Sequence, residues 1–195
     1  MKKYQEIKLK LESKEIQFQR GMSPEEITDA EELFGISFPV ELKRFYSVGL
    51  PVSKGFYNWR DKSEENIKCI KSVLDGPLHG LIFDLENNDD FWCDDWGDKP
   101  KDISDAKRIL IERYSNAPKM IPVYIHRYIP FIPNVNSVPV FSICQSDIII
   151  YGKDLISYLE IEFGFRPRGE VMLVSCPNID FWSSLYFLNN GDDEV

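Results

Sequence analysis

The residues best suited to chemistry lie in one acidic run, Asp84 to Asp98, DLENNDDFWCDDWGD. Asp84, Glu86, Asn88, Asp90 and Asp95 fall near the offsets at which a calcium loop supplies its oxygen ligands. Asp89 stands where such a loop needs a sharp-turn glycine, and Asp95 where it ends on glutamate. Two other readings of the run remain open. One is a solvated acidic loop; the other is an acidic surface for a protein partner. Trp92 and Trp96 suggest that part of the run packs inward. Where aromatics among the acids are exposed, the run resembles a phosphate backbone that a nuclease would bind, with charge setting capture and aromatics setting affinity. Asp84 and Glu86 could pair as carboxylates, but acid–base work needs a geometry that spacing does not supply.

Other chemistry has little support. His79 and His126 are the two histidines, and Cys69, Cys93, Cys144 and Cys176 lack the spacing of zinc ligands. No nucleophile motif or glycine-rich phosphate loop is present. His126 adjoins Arg127 and Tyr128 at the end of an expected strand. That polar cluster either lines a pocket or bonds neighbouring loops. The loop Val52 to Asp61, VSKGFYNWRD, holds Phe56, Tyr57, Trp59 and Arg60. Its aromatics either pin the loop to the core or form a recognition rim, since Trp, Tyr and Arg are favoured contact residues. The candidate partner-binding residues are therefore Asp89, Asp90, Trp92, Asp94 and Asp95, with Phe56, Tyr57, Trp59 and Arg60. No catalytic, cofactor-binding or metal residue is assigned, and no cofactor is expected.

The elements that must position these residues follow from periodicity and capping. In Ser23 to Pro51, Ser23 caps a helix, Pro24 opens it and Glu26 completes a capping box. Ile27, Ala30, Leu33 and Phe34 give it one apolar face, and Gly35 suits a left-handed cap. Pro39 opens a second helix with Leu42, Phe45 and Tyr46 inside, ended by Gly49 and Pro51. Tyr4, Ile7 and Leu11 predict an earlier helix, and Ile16 and Phe18 a brief extended segment. A helix is expected from Ser63 to Leu74, stopped by Gly76-Pro77, then a buried strand from Leu81 to Leu85. Asp102 or Ser104 caps a helix to about Tyr114. From Ile121 the pattern turns to strands: IPVYI, then HRYIPFIP, whose prolines are excluded from central strand positions. Val140 to Cys144 and Asp147 to Tyr151 read as a hairpin, with DIIIY deep in the sheet and both faces covered. Leu155 to Phe163 reads as a helix capped by Gly164, Val171 to Val174 as an edge strand, and Ile179 to Tyr186 as a last helix.

The chain has 195 residues, 43% hydrophobic and 13% aromatic, which suits one globular domain over 1–190 with a frayed acidic tail at 191–195. No apolar run approaches a membrane span, and the lysine-bearing start lacks the apolar stretch of a signal peptide. Scattered cysteines predict reduced thiols and a cytoplasmic location. The net charge of -9 argues against nucleic acid as a direct ligand and permits a basic protein partner.

Several segments together resemble the SUKH superfamily, similar to a fungal cell-wall assembly regulator. They are SPEEITDAEELFGISFPVELKRFYSVGLP, GFYNWRD, FDLENNDDFW with WGDKP, IPVYIHRYIP, PVFSICQSDIIIYGKDLISYLEIEF and the late Phe181-Trp182. Two departures stand out: Ile125 where the family pattern has glycine, and Asn88 to Cys93 where it has an NNGFWW-like run. The resemblance implies an α+β fold, a mixed and largely antiparallel sheet flanked by helices. It also implies a non-catalytic immunity protein that neutralises a cognate toxin, often a nuclease, by stoichiometric binding. The alternative is a cytoplasmic regulatory adaptor with a non-toxic protein partner. A hydrolase built on His126 and nearby carboxylates is the remaining reading. No membrane contact is expected.

Overall fold

The computed structural model of the chain describes residues 1–170 and 177–190. It is an α+β fold in which a four-stranded antiparallel sheet separates two hydrophobic cores. The elements in chain order are α1 (Lys2–Glu12), β1 (Phe18–Gln19), α2 (Pro24–Phe34), α3 (Val40–Val48), β2 (Leu50–Pro51) and α4 (Glu64–Asn87). A 3₁₀ turn (Asp94–Trp96) precedes α5 (Ile103–Asn116). Then come β3 (Met120–Tyr124), β4 (Arg127–Pro130), β5 (Val140–Cys144), β6 (Asp147–Gly152), α6 (Leu155–Glu162) and α7 (Trp182–Asn190). The main sheet has the order β3-β4-β5-β6, and β1 and β2 form a separate antiparallel pair. The strand expected at Val171 to Val174 and the tail at 191–195 lie outside the described residues.

The helical pair at α2 and α3 forms as its local signals require. The Ser23 hydroxyl accepts from the Glu26 amide at 3.2 Å, and the Ser23 amide donates back to Glu26 Oε2 at 2.9 Å. Gly35 closes α2 at φ +59, with the Ile36 amide returning to Glu31 O. Ile27, Ala30, Phe34, Leu42, Phe45 and Tyr46 all enter the first core. Tyr4, Ile7 and Leu11 of α1, and Leu155, Tyr158 and Leu159 of α6, complete it against Ile129 and Val140 of the sheet. Phe141, Ile143 and Ile148 face the other way. They meet Leu81 and Leu85 of α4, Ala106 and Leu110 of α5, and Trp182 and Leu185 of α7.

Two expectations are corrected. No break occurs at Gly76-Pro77 and no strand spans Leu81 to Leu85, because α4 runs unbroken through both for 24 residues. Pro77 has no N–H, so the carbonyl of Val73, four residues back, loses its helical donor. The Tyr128 hydroxyl of β4 donates to that carbonyl at 3.1 Å. Ile70, Leu74, Pro77, Leu81 and Leu85 are buried along α4, a continuous helical stripe across the supposed boundary. β6 stands last in the order of the described strands. Its apolar run meets a core on each face, as expected: Ile148 faces the core holding α7, and Tyr151 packs against the core holding α6. Of the two prolines in HRYIPFIP, Pro133 lies in the turn beyond β4, whereas Pro130 is the last residue of β4, an inner strand of the described sheet, where it pairs with Met120 of β3.

Candidate functional site

The acidic run begins where α4 ends. Asn88 caps the helix, and its side-chain oxygen accepts from the Asp90 amide at 3.0 Å. From there the chain alternates by burial. Phe91, Trp92, Cys93 and Trp96 enter the second core, while Asp89, Asp90, Asp94, Asp95 and Asp98 are exposed. The Trp92 Nε1–H donates to Gly97 O at 2.6 Å, and its ring meets Trp96 edge-on at 5.2 Å. Trp96 stacks on Phe181 at 5.7 Å. Lys99 Nζ donates to Asp89 O at 2.7 Å and ties the two ends of the loop together. Burial pushes the Cys93 thiol above its ordinary pKa. The outcome is a ridge of carboxylates on an aromatic base. Trp92, expected among the contact residues, belongs to that base and is corrected to a core position.

The oxygen set considered for calcium is not assembled. Asp84 Oδ2 accepts from both the amide and the hydroxyl of Ser146, at 2.8 and 2.6 Å. Glu86 pairs with Lys107 of α5. Among the described residues, no group of three or more His, Cys, Asp or Glu side chains could hold a metal ion.

The second candidate stretch, GFYNWRD, divides in the same way. Trp59 is 1% exposed, with its Nε1–H donating to the Tyr46 hydroxyl at 3.0 Å and its ring against Phe38 and Phe34. Trp59 is therefore corrected to the core. Arg60 is a clamp: Nε donates to Glu26 Oε1, Nη1 to Gln19, and Nη2 to the carbonyls of Arg20 and Gly21. The guanidinium groups of Arg60 and Arg20 hold the Glu26 carboxyl down at about 2. Phe56 and Tyr57 are half-buried. Phe56 bridges to Tyr124 of β3 and stacks on Phe163 at 5.9 Å, and the Tyr57 hydroxyl donates to Ile125 O at 2.5 Å.

That last contact joins two segments that sequence reasoning kept apart, the GFYNWRD loop and the β3–β4 turn. His126 is exposed in this turn, and partial desolvation and the neighbouring Arg127 charge lower its pKa. Arg127 donates through Nε to Glu162 at 3.2 Å and through Nη1 to the Ser142 hydroxyl at 2.8 Å. The Arg127 guanidinium lies 4.2 Å from the Tyr151 ring centroid, and Arg168 lies 4.8 Å from it. The side-chain partners of Arg127 and Tyr128 lie on α6, β5 and α4 rather than on neighbouring loops. A cleft of about 190 Å³ lies elsewhere, lined by Phe34, Lys71, Leu74, Asp75 and Lys119.

One ionisable group was missed altogether. Glu41, in the first turn of α3, is 1% exposed. Its Oε2 accepts from the Val138 amide at 3.2 Å, and Oε1 and the Tyr4 hydroxyl are buried without partners among the described residues. Burial pushes its carboxyl up to about 7. An acid in a first helical turn is an ordinary pattern, so local sequence carried no signal of this burial.

Comparison with family models, with curated proteins and with solved structures returns no match to the chain.

Proposed function

We propose that this protein works by binding another protein, as a cytoplasmic immunity protein that neutralises a cognate toxin, in particular a nuclease, by stoichiometric contact. The observation that carries the reading is the exposed ridge of Asp89, Asp90, Asp94 and Asp95, held in place by the buried Trp92 and Trp96. A fixed array of carboxylates speeds capture of a basic surface, and preorganisation lowers the entropy lost on docking. The resemblance of the helical pair and the hairpin to the SUKH superfamily supports the same reading. Under this reading the protein performs no reaction and needs no cofactor. No helix among the described residues is long and apolar enough to cross a membrane.

The test is co-expression with candidate nuclease toxins, chosen from genes neighbouring the one for this chain, scored by survival and by a one-to-one complex on size exclusion. Protection with a stable complex is expected. A stable complex with a non-toxic endogenous protein, and no protection, would replace this reading with the regulatory adaptor.

A further inference from the structure

Helix α1 is seated on the rest of the fold by side chains. Among the described residues, its backbone hydrogen bonds stay within residues 1–16. Backbone bonding to another segment starts at Gln17, whose carbonyl accepts from the Val52 amide at 2.9 Å. Tyr4, Ile7 and Leu11 enter the first core, and Lys10 pairs with Glu160 of α6 at 2.6 Å. The Lys10 and Lys14 ammonium groups lie 5.8 and 5.3 Å from the Phe165 ring centroid. Between α1 and β1 the chain turns through Glu15 at φ +64. The helix can therefore leave its seat without breaking a backbone bond to another element, which makes it a natural unit of local opening.

The seat holds a buried acid. Glu41 is 1% exposed, and its Oε1 and the Tyr4 hydroxyl are both buried without partners among the described residues. Lys3 and Tyr4 face it from α1, and Asp154 from the start of α6. The segment before β5 supplies the Val138 amide, and Arg44 of α3 is the charged neighbour of the Tyr4 hydroxyl. The attraction of Lys3 and the repulsion of Asp154 oppose each other. A neutral carboxyl is tolerated in such a site, whereas a carboxylate there gives up its hydration for few hydrogen bonds. Lifting α1 carries Lys3 and Tyr4 away and returns the group to water.

We propose that α1 is a lid over Glu41: it stays seated while the carboxyl holds its proton and lifts more often once the proton is lost, uncovering the parts of α3 and α6 beneath it. This goes beyond the binding reading and stands or falls independently of it. Burial keeps the carboxyl at about 7 while α1 is seated, and opening returns it to about 4.3. The seated state is fully favoured below about pH 4 and loses that advantage as pH rises through about 7. Between about pH 5 and about pH 8 the equilibrium constant for opening should therefore rise about 70-fold.

The test is amide hydrogen exchange on the full chain, read by mass spectrometry from pH 5 to pH 8 and corrected for the intrinsic rate at each pH. Global unfolding also exposes Glu41, so α1 is compared with the buried strand β5. The α1 amides should exchange faster than those of β5, keep their rates in low urea, and show the 70-fold rise. Glu41→Gln should abolish the rise. Ile7→Val, which removes one buried methylene from the seat, should raise opening about 2- to 10-fold at every pH and leave the rise intact. A flat pH profile in wild type, or a rise that survives Glu41→Gln, overturns the lid. So do α1 amides that share the urea dependence of β5, since the proton would then act on global unfolding alone. Unchanged α1 exchange in Ile7→Val would show that the amides do not report this seat, and overturns it too.

Discussion

Glu41 occupies the least forgiving position of any acid described in the chain. Its carboxyl sits among α1, α3, the segment before β5 and the start of α6, with Lys3, Tyr4 and Asp154 as its ionisable neighbours. Burial raises its folded pKa to about 7, above the ordinary carboxylate range of the unfolded chain. The folded state therefore holds this proton while the unfolded state releases it. Stability from this group is complete below about pH 4.5 and is lost as pH rises toward about 7. Glu41→Gln removes that loss. In urea titrations, its stability relative to wild type should improve by about 2–3 kcal/mol between about pH 5 and about pH 8. A difference that does not vary with pH would refute the assignment. Glu26 runs in the opposite direction. Its carboxyl is depressed by Arg60 and Arg20, so its contribution is present above about pH 4.5 and fades as pH falls toward about 2. At this scale the sequence was legible where residue type decides and opaque where neighbours decide. Ser23, Glu26 and Gly35 announce their roles. Glu41, Trp59 and Trp92 do not, because nothing local separates a buried acid or indole from an exposed one.

Among the elements, α4 depends most on a remote partner. Pro77 deprives Val73 O of its helical donor, and Tyr128 of β4 replaces it. Tyr128→Phe should therefore cost about 1–3 kcal/mol, the price of a buried carbonyl left unpaired. Pro77→Ala restores the helical N–H, so it should recover more stability in the Tyr128→Phe background than in wild type. Additive effects in that double-mutant cycle would show that the two groups do not interact. Gly80 offers a second test. Alanine is the better helix former, yet a Cβ at Gly80 would lie 2.9 Å from Gln145 Cα at the β5–β6 turn. Gly80→Ala should lower the melting temperature by several degrees, on the order of a 1–3 kcal/mol overpacking cost. A rise would mean that the hairpin can back away. The same contacts explain the misreading of the segment. Glycine and proline mark breaks when only local conformation matters. Here glycine permits close approach, and the cost of proline is offset by a hydroxyl 55 residues from the carbonyl it serves.

For the whole molecule, the sheet divides two cores, and the acidic ridge stands on the second of them. Neutralising Asp89, Asp90, Asp94 and Asp95 to asparagine should slow association with a basic partner by about 10-fold or more at low salt and flatten its salt dependence. Dissociation should change less, and stability should hold, since these side chains are exposed. Stopped-flow association at several ionic strengths would read this out, and unchanged rates would remove the ridge from the mechanism. By itself, the sequence determined the α+β class, the capped helical pair, the β5–β6 hairpin and the places where acids and aromatics interleave. Those features depend on periodicity and on bonds between residues a few positions apart, so a short window contains their cause. Only the tertiary structure decided that α4 continues through Pro77, that Trp59 and Trp92 face inward, and that Tyr57 secures the Ile125 turn. Each of those outcomes depends on a partner far along the chain, brought near only when the two cores close on the sheet.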